Sequence, residues 1–209
     1  MGGIDKIFAS LGGISVLERV AGLIDSSPFV DRFVVVLSQE STERGRKLLD
    51  KNNLAKLAAV VPGGPRRQDS VEFGLKKLGA CEWVIIHDGA RPLAGAELIG
   101  NGLEAARETG AAAAAVPVTD TIKLVDENRY VKETLARSRL WAIQTPQIFR
   151  FDIINQAYSQ PAADVTDDAA LVETLGVRVK LYMGAYDNIK ITTPADLALA
   201  EILCRRREG

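Results

Sequence analysis

The segment His87-Asp88-Gly89-Ala90-Arg91-Pro92 follows a short apolar run at 83–86 and gathers an acid, a guanidinium, an imidazole and a glycine in one turn. An aspartate just past a buried strand is a good hard-cation ligand, and Mg²⁺ favours one or two carboxylates completed by substrate phosphates. Gly89 permits close approach of a base or sugar. Arg91 suits an anion, or an ion pair that locks the turn. His87 is the only histidine. At a strand end such a residue is more often a packing or hydrogen-bonding group than a catalyst.

Other strand ends carry related groups. After 57–61 comes Pro62-Gly63-Gly64-Pro65-Arg66-Arg67-Gln68-Asp69-Ser70, leading into a helical pattern. Its glycines allow backbone approach, the helix start offers unpaired N–H groups, and Arg66, Arg67 and Ser70 add phosphate-binding groups. A plain surface turn with Ser70 as helix cap fits the same residues. Further on stand Thr119-Asp120-Thr121, Lys123, Arg137, Gln144-Thr145-Pro146-Gln147 and Tyr186-Asp187-Asn188-Ile189-Lys190-Ile191-Thr192. Each alone reads as a turn. Together they suit a polyanionic substrate accompanied by Mg²⁺.

These groups need a scaffold that brings strand ends together. Nearly continuous apolar runs at 33–37, 57–61, 83–86, 113–118 and 177–182 predict strands covered on both faces. Helical patterns lie at 15–24, 42–51, 69–78, 96–108, 151–158, 167–175 and 194–205. Their alternation predicts an α/β domain with a mostly parallel sheet between helix layers, and ligands at the carboxyl ends of its strands. Residues 121–125 and 130–134 flank the polar turn Asp126-Glu127-Asn128-Arg129 and predict a hairpin, either an arm projecting from the sheet or an ordinary edge hairpin. Thr166-Asp167-Asp168 and Thr193-Pro194 read as helix caps.

The chain has 209 residues and a formal net charge of −1, with 47% hydrophobic and 25% charged residues. This suits a single domain over 1–209 and argues against a general nucleic-acid binder, which needs an excess of Lys and Arg. No apolar run reaches the ~18 residues that span a bilayer. The opening carries no leader pattern, and Cys81 and Cys204 lack metal-ligand spacing. A soluble cytoplasmic protein with reduced thiols is expected, without nucleic-acid or membrane partners.

The ordered pieces resemble the 2-C-methyl-D-erythritol 4-phosphate cytidylyltransferases of the non-mevalonate isoprenoid pathway. They are Asp5-Lys6, Leu11-Gly12-Gly13 and Val16-Leu17-Glu18; Gly63-Gly64, Arg67 and Ser70-Val71; His87 to Pro92; and Pro117-Val118, Asp120-Thr121 and Lys123. Arg137, Trp141, Gln144 to Gln147, Thr166-Asp167-Asp168, Asp187 to Thr192, Pro194 and Asp196-Leu197 complete the set. It spans nearly the whole chain. The resemblance implies a three-layer, Rossmann-like nucleotide-diphospho-sugar transferase fold with an arm at about 119–140. It implies cytidylyl transfer from CTP to methylerythritol phosphate with Mg²⁺, in a homodimer joined through the arm.

The resemblance further implies that Lys6 and Lys190 are catalytic and that Asp88 holds the metal. Gly64, Arg67, Ser70, Asp88, Gly89 and Arg91 would bind the nucleotide. Thr121, Arg137, Thr145, Asp187 and Thr192 would bind methylerythritol phosphate, with Arg137 reaching the partner's pocket. A ribitol-phosphate cytidylyltransferase shares the nucleotide side; a valine is common there where Ala90 stands here. The family opens with a strand and a loop of the form Ala-Ala-Gly-x-x-x-Arg-Met, and Met1 falls at that loop's methionine. The sequence thus opens past that strand. The expectation is weak or no turnover, an inert fragment that folds or dimerises being the alternative, with an open edge at 33–37 or 83–86.

Overall fold

The structure, a computed structural model, describes residues 6–160 and 164–208. The readings made on residues 1–5 lie outside it. A 3-10 turn at Lys6–Phe8 leads to β1 (Ser10–Leu11) and β2 (Ile14–Ser15), an antiparallel hairpin. Gly12 and Gly13 turn it with φ of 61° and 86°. Two successive positive φ values are what a two-residue hairpin turn demands and what side chains resist. Helix α1 (Val16–Ser26) then starts in a capping box. The Glu18 N–H donates to the Ser15 hydroxyl at 3.1 Å, and the Ser15 N–H donates to the Glu18 carboxylate at 2.9 Å.

Strand and helix then alternate as the sequence predicts: β3 (Phe33–Leu37), α2 (Gln39–Leu49), β4 (Leu57–Pro62), α3 (Arg67–Leu78), β5 (Trp83–Ile86), α4 (Ala96–Thr109) and β6 (Ala111–Pro117). The arm is β7 (Lys123–Val125) and β8 (Val131–Thr134), an antiparallel pair. After it come β9 (Trp141–Arg150), α5 (Phe151–Tyr158), α6 (Asp168–Glu173), β10 (Lys180–Met183) and α7 (Pro194–Glu208). No helix among the described residues is long and apolar enough to cross a membrane.

The larger sheet has the order β10-β6-β9-β5. β10 runs parallel to β6, and β9 runs antiparallel to both β6 and β5. Three of these strands therefore share one direction, as expected of a mostly parallel sheet, and β9 alone is reversed. β9 is absent from the sequence prediction because its middle reads Gln144-Thr145-Pro146-Gln147, and proline argues against an interior strand. The structure accommodates it with a bulge. Ala113 faces Gln147 and Ala115 faces Ile143, so three residues, 144–146, stand opposite the single Ala114. A bulge is where a proline's missing donor is harmless, and it re-aims the side chains around it.

β3 and β4 form a separate parallel pair. Among the described residues, β3 pairs only with β4 and β5 only with β9.

The core explains why the strand runs are continuous rather than alternating. Ala111 and Ala113, fully buried, join the core built with α5 and α6. Ala112 and Ala114, on the opposite face and equally buried, join the core under α4. With only methyl groups on β6, helices approach it closely from both sides. Gly102 continues the logic on α4: a Cβ there would meet Ile148 Cδ1 at 2.5 Å and Tyr182 Oη at 2.6 Å. The Tyr182 hydroxyl donates to the Pro146 carbonyl at 2.9 Å, so the ring has little freedom to retreat. Gly102→Ala is expected to destabilise the fold by about 1–3 kcal/mol through overpacking, read from denaturant unfolding; an unchanged midpoint would show that α4 can shift.

Candidate active site

The carboxyl end of β5 delivers Asp88 into a ring of cations. Its Oδ2 lies 3.1 Å from Lys190 Nζ and 3.2 Å from Arg91 Nε, and its Oδ1 lies 3.8 Å from Arg67 Nε. The Asp88 side chain is only 13% exposed. Burial pushes its carboxyl pKa up, but Lys190, Arg91 and Arg67 overcome that and hold it below the ordinary range. Asp88 is thus a carboxylate wherever the domain is folded near neutral pH.

The backbone of the turn is fixed from behind by the β9 bulge. The Asp88 N–H donates to Thr145 Oγ1 at 2.9 Å, and Thr145 Oγ1 lies 3.1 Å from His87 Nδ1. His87 Nε2 lies 3.0 Å from the Arg91 carbonyl. A carbonyl can only accept, so Nε2 carries the proton and Nδ1 accepts from the Thr145 hydroxyl. Burial pushes the imidazole pKa down, which keeps this neutral tautomer. His87 is therefore a brace of the turn, in line with its reading from sequence.

A third segment closes the site. The Ile191 N–H donates to the Ala90 carbonyl at 2.8 Å. Arg91 Nη1 donates to the Asn188 carbonyl at 2.7 Å. Fully buried Asn188 donates through Nδ2 to the Thr145 carbonyl at 2.9 Å and to Gln144 Oε1 at 3.3 Å. Strand end, bulge and the 188–191 segment are thereby cross-braced, and Lys190 is carried in on that brace.

Beside them lies the glycine turn after β4. The Gly63 N–H reaches back to the Leu37 carbonyl at 2.6 Å, and the Gly64 N–H donates to Ser70 Oγ at 3.2 Å. A Cβ on either glycine would collide, with Ser70 at Gly63 and with Asp69 at Gly64. Helix α3 is capped by Asp69, which accepts the Arg66 N–H at 3.1 Å, so Ser70 is not the cap. Ser70 instead closes the turn. Arg67, at the first position of α3, reaches Asp88 on one side. On the other, its Nη2 donates to the fully buried Asp168 at 2.6 Å.

The structure therefore gathers Asp88, Arg91, Lys190, Arg67 and Thr145 into one network, with Gly64 and Ser70 in the adjoining turn. Gly89 is exposed, and no atom lies within 4 Å of where its Cβ would stand, so the surface beside Asp88 is open. Other expected residues stand apart from the network. Asp187 pairs with Arg207 at 2.6 Å, and Arg207 also donates to the Leu93 carbonyl at 2.6 Å. The Thr192 hydroxyl donates to Asp196 at 2.7 Å. Arg137 donates to the Thr119 carbonyl at 2.7 Å at the base of the arm, where Thr121 is exposed. Lys6 is exposed and makes no ion pair with a described residue. Gln144, Asn188 and Asp168 lie in segments the sequence singled out but received no site role there, and Arg207, which braces Asp187 beside the network, was not named. Asp168 was hidden because an Asp-Asp pair before a helix reads as capping. Asp167 does cap α6, accepting the Ala170 N–H at 2.9 Å.

Among the described residues no three His, Cys, Asp or Glu side chains form a metal cluster. A cation here would take most of its ligands from the substrate, and Asp88 Oδ1, with no donor closer than the 3.8 Å of Arg67 Nε, is the oxygen open to it.

Residues 1–206 match the sequence pattern of the family described as IspD, 2-C-methyl-D-erythritol 4-phosphate cytidylyltransferase. A protein of that name from Dehalococcoides mccartyi is 48% identical over 206 residues, covering 99% of this chain and 91% of the relative. One from Desulforamulus reducens is 44% identical, covering 98% and 89%. The crystal structure of 4-diphosphocytidyl-2C-methyl-D-erythritol synthase from Anaerococcus prevotii superposes with a TM-score of 0.86 at 32% identity, covering 94% of this chain and 88% of that one. The Thermus thermophilus cytidylyltransferase gives 0.79 at 32% identity, covering 96% and 93%.

Thr145→Val removes the acceptor for the Asp88 N–H and the donor for His87. It is expected to cost about 1–3 kcal/mol in denaturant unfolding, largely restored by Thr145→Ser; equal losses for both would show that the hydroxyl is not the brace. A second expectation concerns acid. Hydrogen bonds from the Thr192 hydroxyl and from the Thr192 and Thr193 N–H groups hold the Asp196 carboxyl down to about 2. Its contribution is present above the ordinary carboxylate range and lost as pH falls through about 2. The stability gap between wild type and Asp196→Ala should accordingly be full at pH 6 and closed below pH 2, in melts across that range.

Proposed function

The chain belongs to the 2-C-methyl-D-erythritol 4-phosphate cytidylyltransferase family, and we infer that it is a nucleotidyltransferase moving a cytidylyl group from CTP to methylerythritol phosphate in isoprenoid precursor biosynthesis. A phosphate oxygen of the acceptor attacks the α-phosphorus of CTP. The new P–O bond forms as the bond to the β-phosphate breaks, and pyrophosphate leaves with the electron pair. Such a reaction asks the protein for positioning and charge neutralisation rather than covalent chemistry.

The observation that carries this reading is the one carboxylate, Asp88, with three cations around it. Lys190 and Arg67, 43% and 36% exposed, have the freedom to turn from Asp88 to phosphate oxygens, whereas Arg91 at 11% is a fixed brace. Lys190 and Lys6 stabilise charge on the CTP phosphates. Gly64 and Ser70 contact the cytidine and Gly89 leaves room for its ribose, with Arg91 holding that side. Asp88 would hold the Mg²⁺ that accompanies CTP, and the ion would supply further neutralisation of phosphate charge. Thr121, Arg137, Thr145, Asp187 and Thr192 form the methylerythritol phosphate side. For Thr192 and Asp187, whose side chains are engaged with Asp196 and Arg207, this requires those partners to be exchanged on binding.

The protein acts in the cytoplasm as a homodimer joined through the arm. The arm supports this by its exposed apolar surface: Leu124, Val125, Tyr130 and Val131 are 50%, 45%, 73% and 59% exposed. Leu124→Asp with Val131→Asp is expected to halve the mass seen by light scattering; a monomeric wild type would refute the dimer.

Turnover is tested, in protein extended to include the family's opening strand and glycine-rich loop, by pyrophosphate release from CTP and Mg²⁺ with methylerythritol phosphate, beside ribitol phosphate. Release only with the former is expected, abolished by a chelator and restored by excess Mg²⁺. Release only with ribitol phosphate would overturn the acceptor assignment. Lys190→Met is expected to lower kcat by roughly 100- to 1000-fold while the melting curve stays close to wild type.

A further inference from the structure

Arg67 is held in an unusual way for a residue at the rim of a site. Its Nη2 donates to Asp168 at 2.6 Å, and Asp168 is fully buried. The other Asp168 oxygen accepts from the Tyr158 hydroxyl at 2.5 Å. Burial and the Asp168 carboxylate push the Tyr158 pKa up, so the phenol stays a donor. Asp168 thus accepts one hydrogen bond on each of its oxygens. Burial pushes the Arg67 guanidinium pKa down, but Asp168 and Asp88 overcome this and raise it, so the cation is permanent.

Two features separate this from an ordinary buried ion pair fastening α3 to α6. A purely structural pair would be closed on itself, with the cation's donors consumed inside. Here the same guanidinium extends to the surface, 36% exposed, with Nε 3.8 Å from the catalytic-site Asp88. Its Nη1 makes no hydrogen bond with a described residue. The contact to Asp168 is also much the shorter of the two. A phosphate or cation arriving at Asp88 can take over the looser contact while the tighter one persists.

We propose that Asp168, steadied by Tyr158, is a positioning residue for CTP: it anchors Arg67 so that the exposed face of the guanidinium is presented to the nucleotide phosphates beside Asp88. Neither Asp168 nor Tyr158 touches the substrate. The chain of effect is Tyr158 to Asp168 to Arg67 to CTP, and it does not pass through the methylerythritol phosphate side. This rests on the cytidylyltransferase reading, so the tests include one that needs no turnover.

In the free protein labelled with ¹⁵N-arginine, the Arg67 Nη2–H signal, whose proton Asp168 accepts, is expected to be resolved and slow to exchange, and to broaden or vanish in Asp168→Asn. An unchanged signal in that variant overturns the anchoring. In steady state, Asp168→Asn is expected to lower kcat/KM for CTP by roughly 10- to 100-fold, the effect of losing one hydrogen bond to a charged group, with KM for methylerythritol phosphate within about twofold. Arg67→Met combined with Asp168→Asn is expected to be no worse than Arg67→Met alone. Equal damage to both substrates, or defects that multiply in the double variant, would assign Asp168 a merely structural role. If Asp168→Asn does not fold, Tyr158→Phe decides: a folded variant with roughly threefold lower kcat/KM for CTP and the same acceptor KM supports the relay, and unchanged CTP kinetics overturn it. A wild type without turnover under these conditions would count against the reaction assignment, while the Arg67 signal still judges the anchor.

Discussion

The carboxylate of Asp88, largely shielded from solvent, organises this site. Left alone, Asp88 at 13% exposure would lose hydration that a charged group needs, and would tend to protonate. Three cations reverse that tendency, and each arrives from a different element: Arg91 from the turn itself, Arg67 from the start of α3, Lys190 from the segment before α7. Asp88 is thereby the point at which separate parts of the chain are tied together. The opposing charges also leave the site poised, since cations gathered around one anion are available to a second, stronger one. An incoming triphosphate competes for groups that are already assembled, so little ordering entropy remains to be spent at the moment of binding.

The fold places that carboxylate with a device that has nothing to do with charge. β9 runs against its neighbours and bulges at 144–146, lifting Thr145 and Gln144 toward the β5 end. Thr145 then sets the Asp88 backbone and the His87 tautomer together, and Gln144 and Asn188 bind the third segment. Behind this, alanines on β6 let helices close over both faces of the sheet, giving the bulge a rigid floor. Polar precision at the strand ends thus depends on plain, small side chains in the middle.

Much of this could be read from the sequence, and the gaps have physical causes. Period and composition fixed the alternation of strand and helix, and the ends of β3, β5 and α5 fell where the apolar runs ended. The chemistry of the His87–Pro92 turn followed from residue type, since an acid and a guanidinium after a buried strand have few other uses. β9 was missed because local pattern cannot show that a bulge will absorb a proline. Asp168 was missed because its role depends on Arg67, 101 positions away, and its immediate neighbours supply a complete capping explanation. Asp187 and Thr192 lie in a recognisable motif, but which partner occupies each is settled by α7, through Arg207 and Asp196.

The bulge has one more consequence. It divides β9 into two stretches held in different registers against β6. Residues 141–143 are exposed and continue from the arm, while 144–149 are buried in the sheet. Both stretches stay paired with β6, Ile143, Ala142 and Trp141 lying opposite Ala115, Val116 and Pro117. One continuous strand thus leaves the arm and, at its irregularity, supplies Gln144 and Thr145 to Asn188 and to the Asp88 turn, so the site's bracing and the arm's attachment are the same piece of chain.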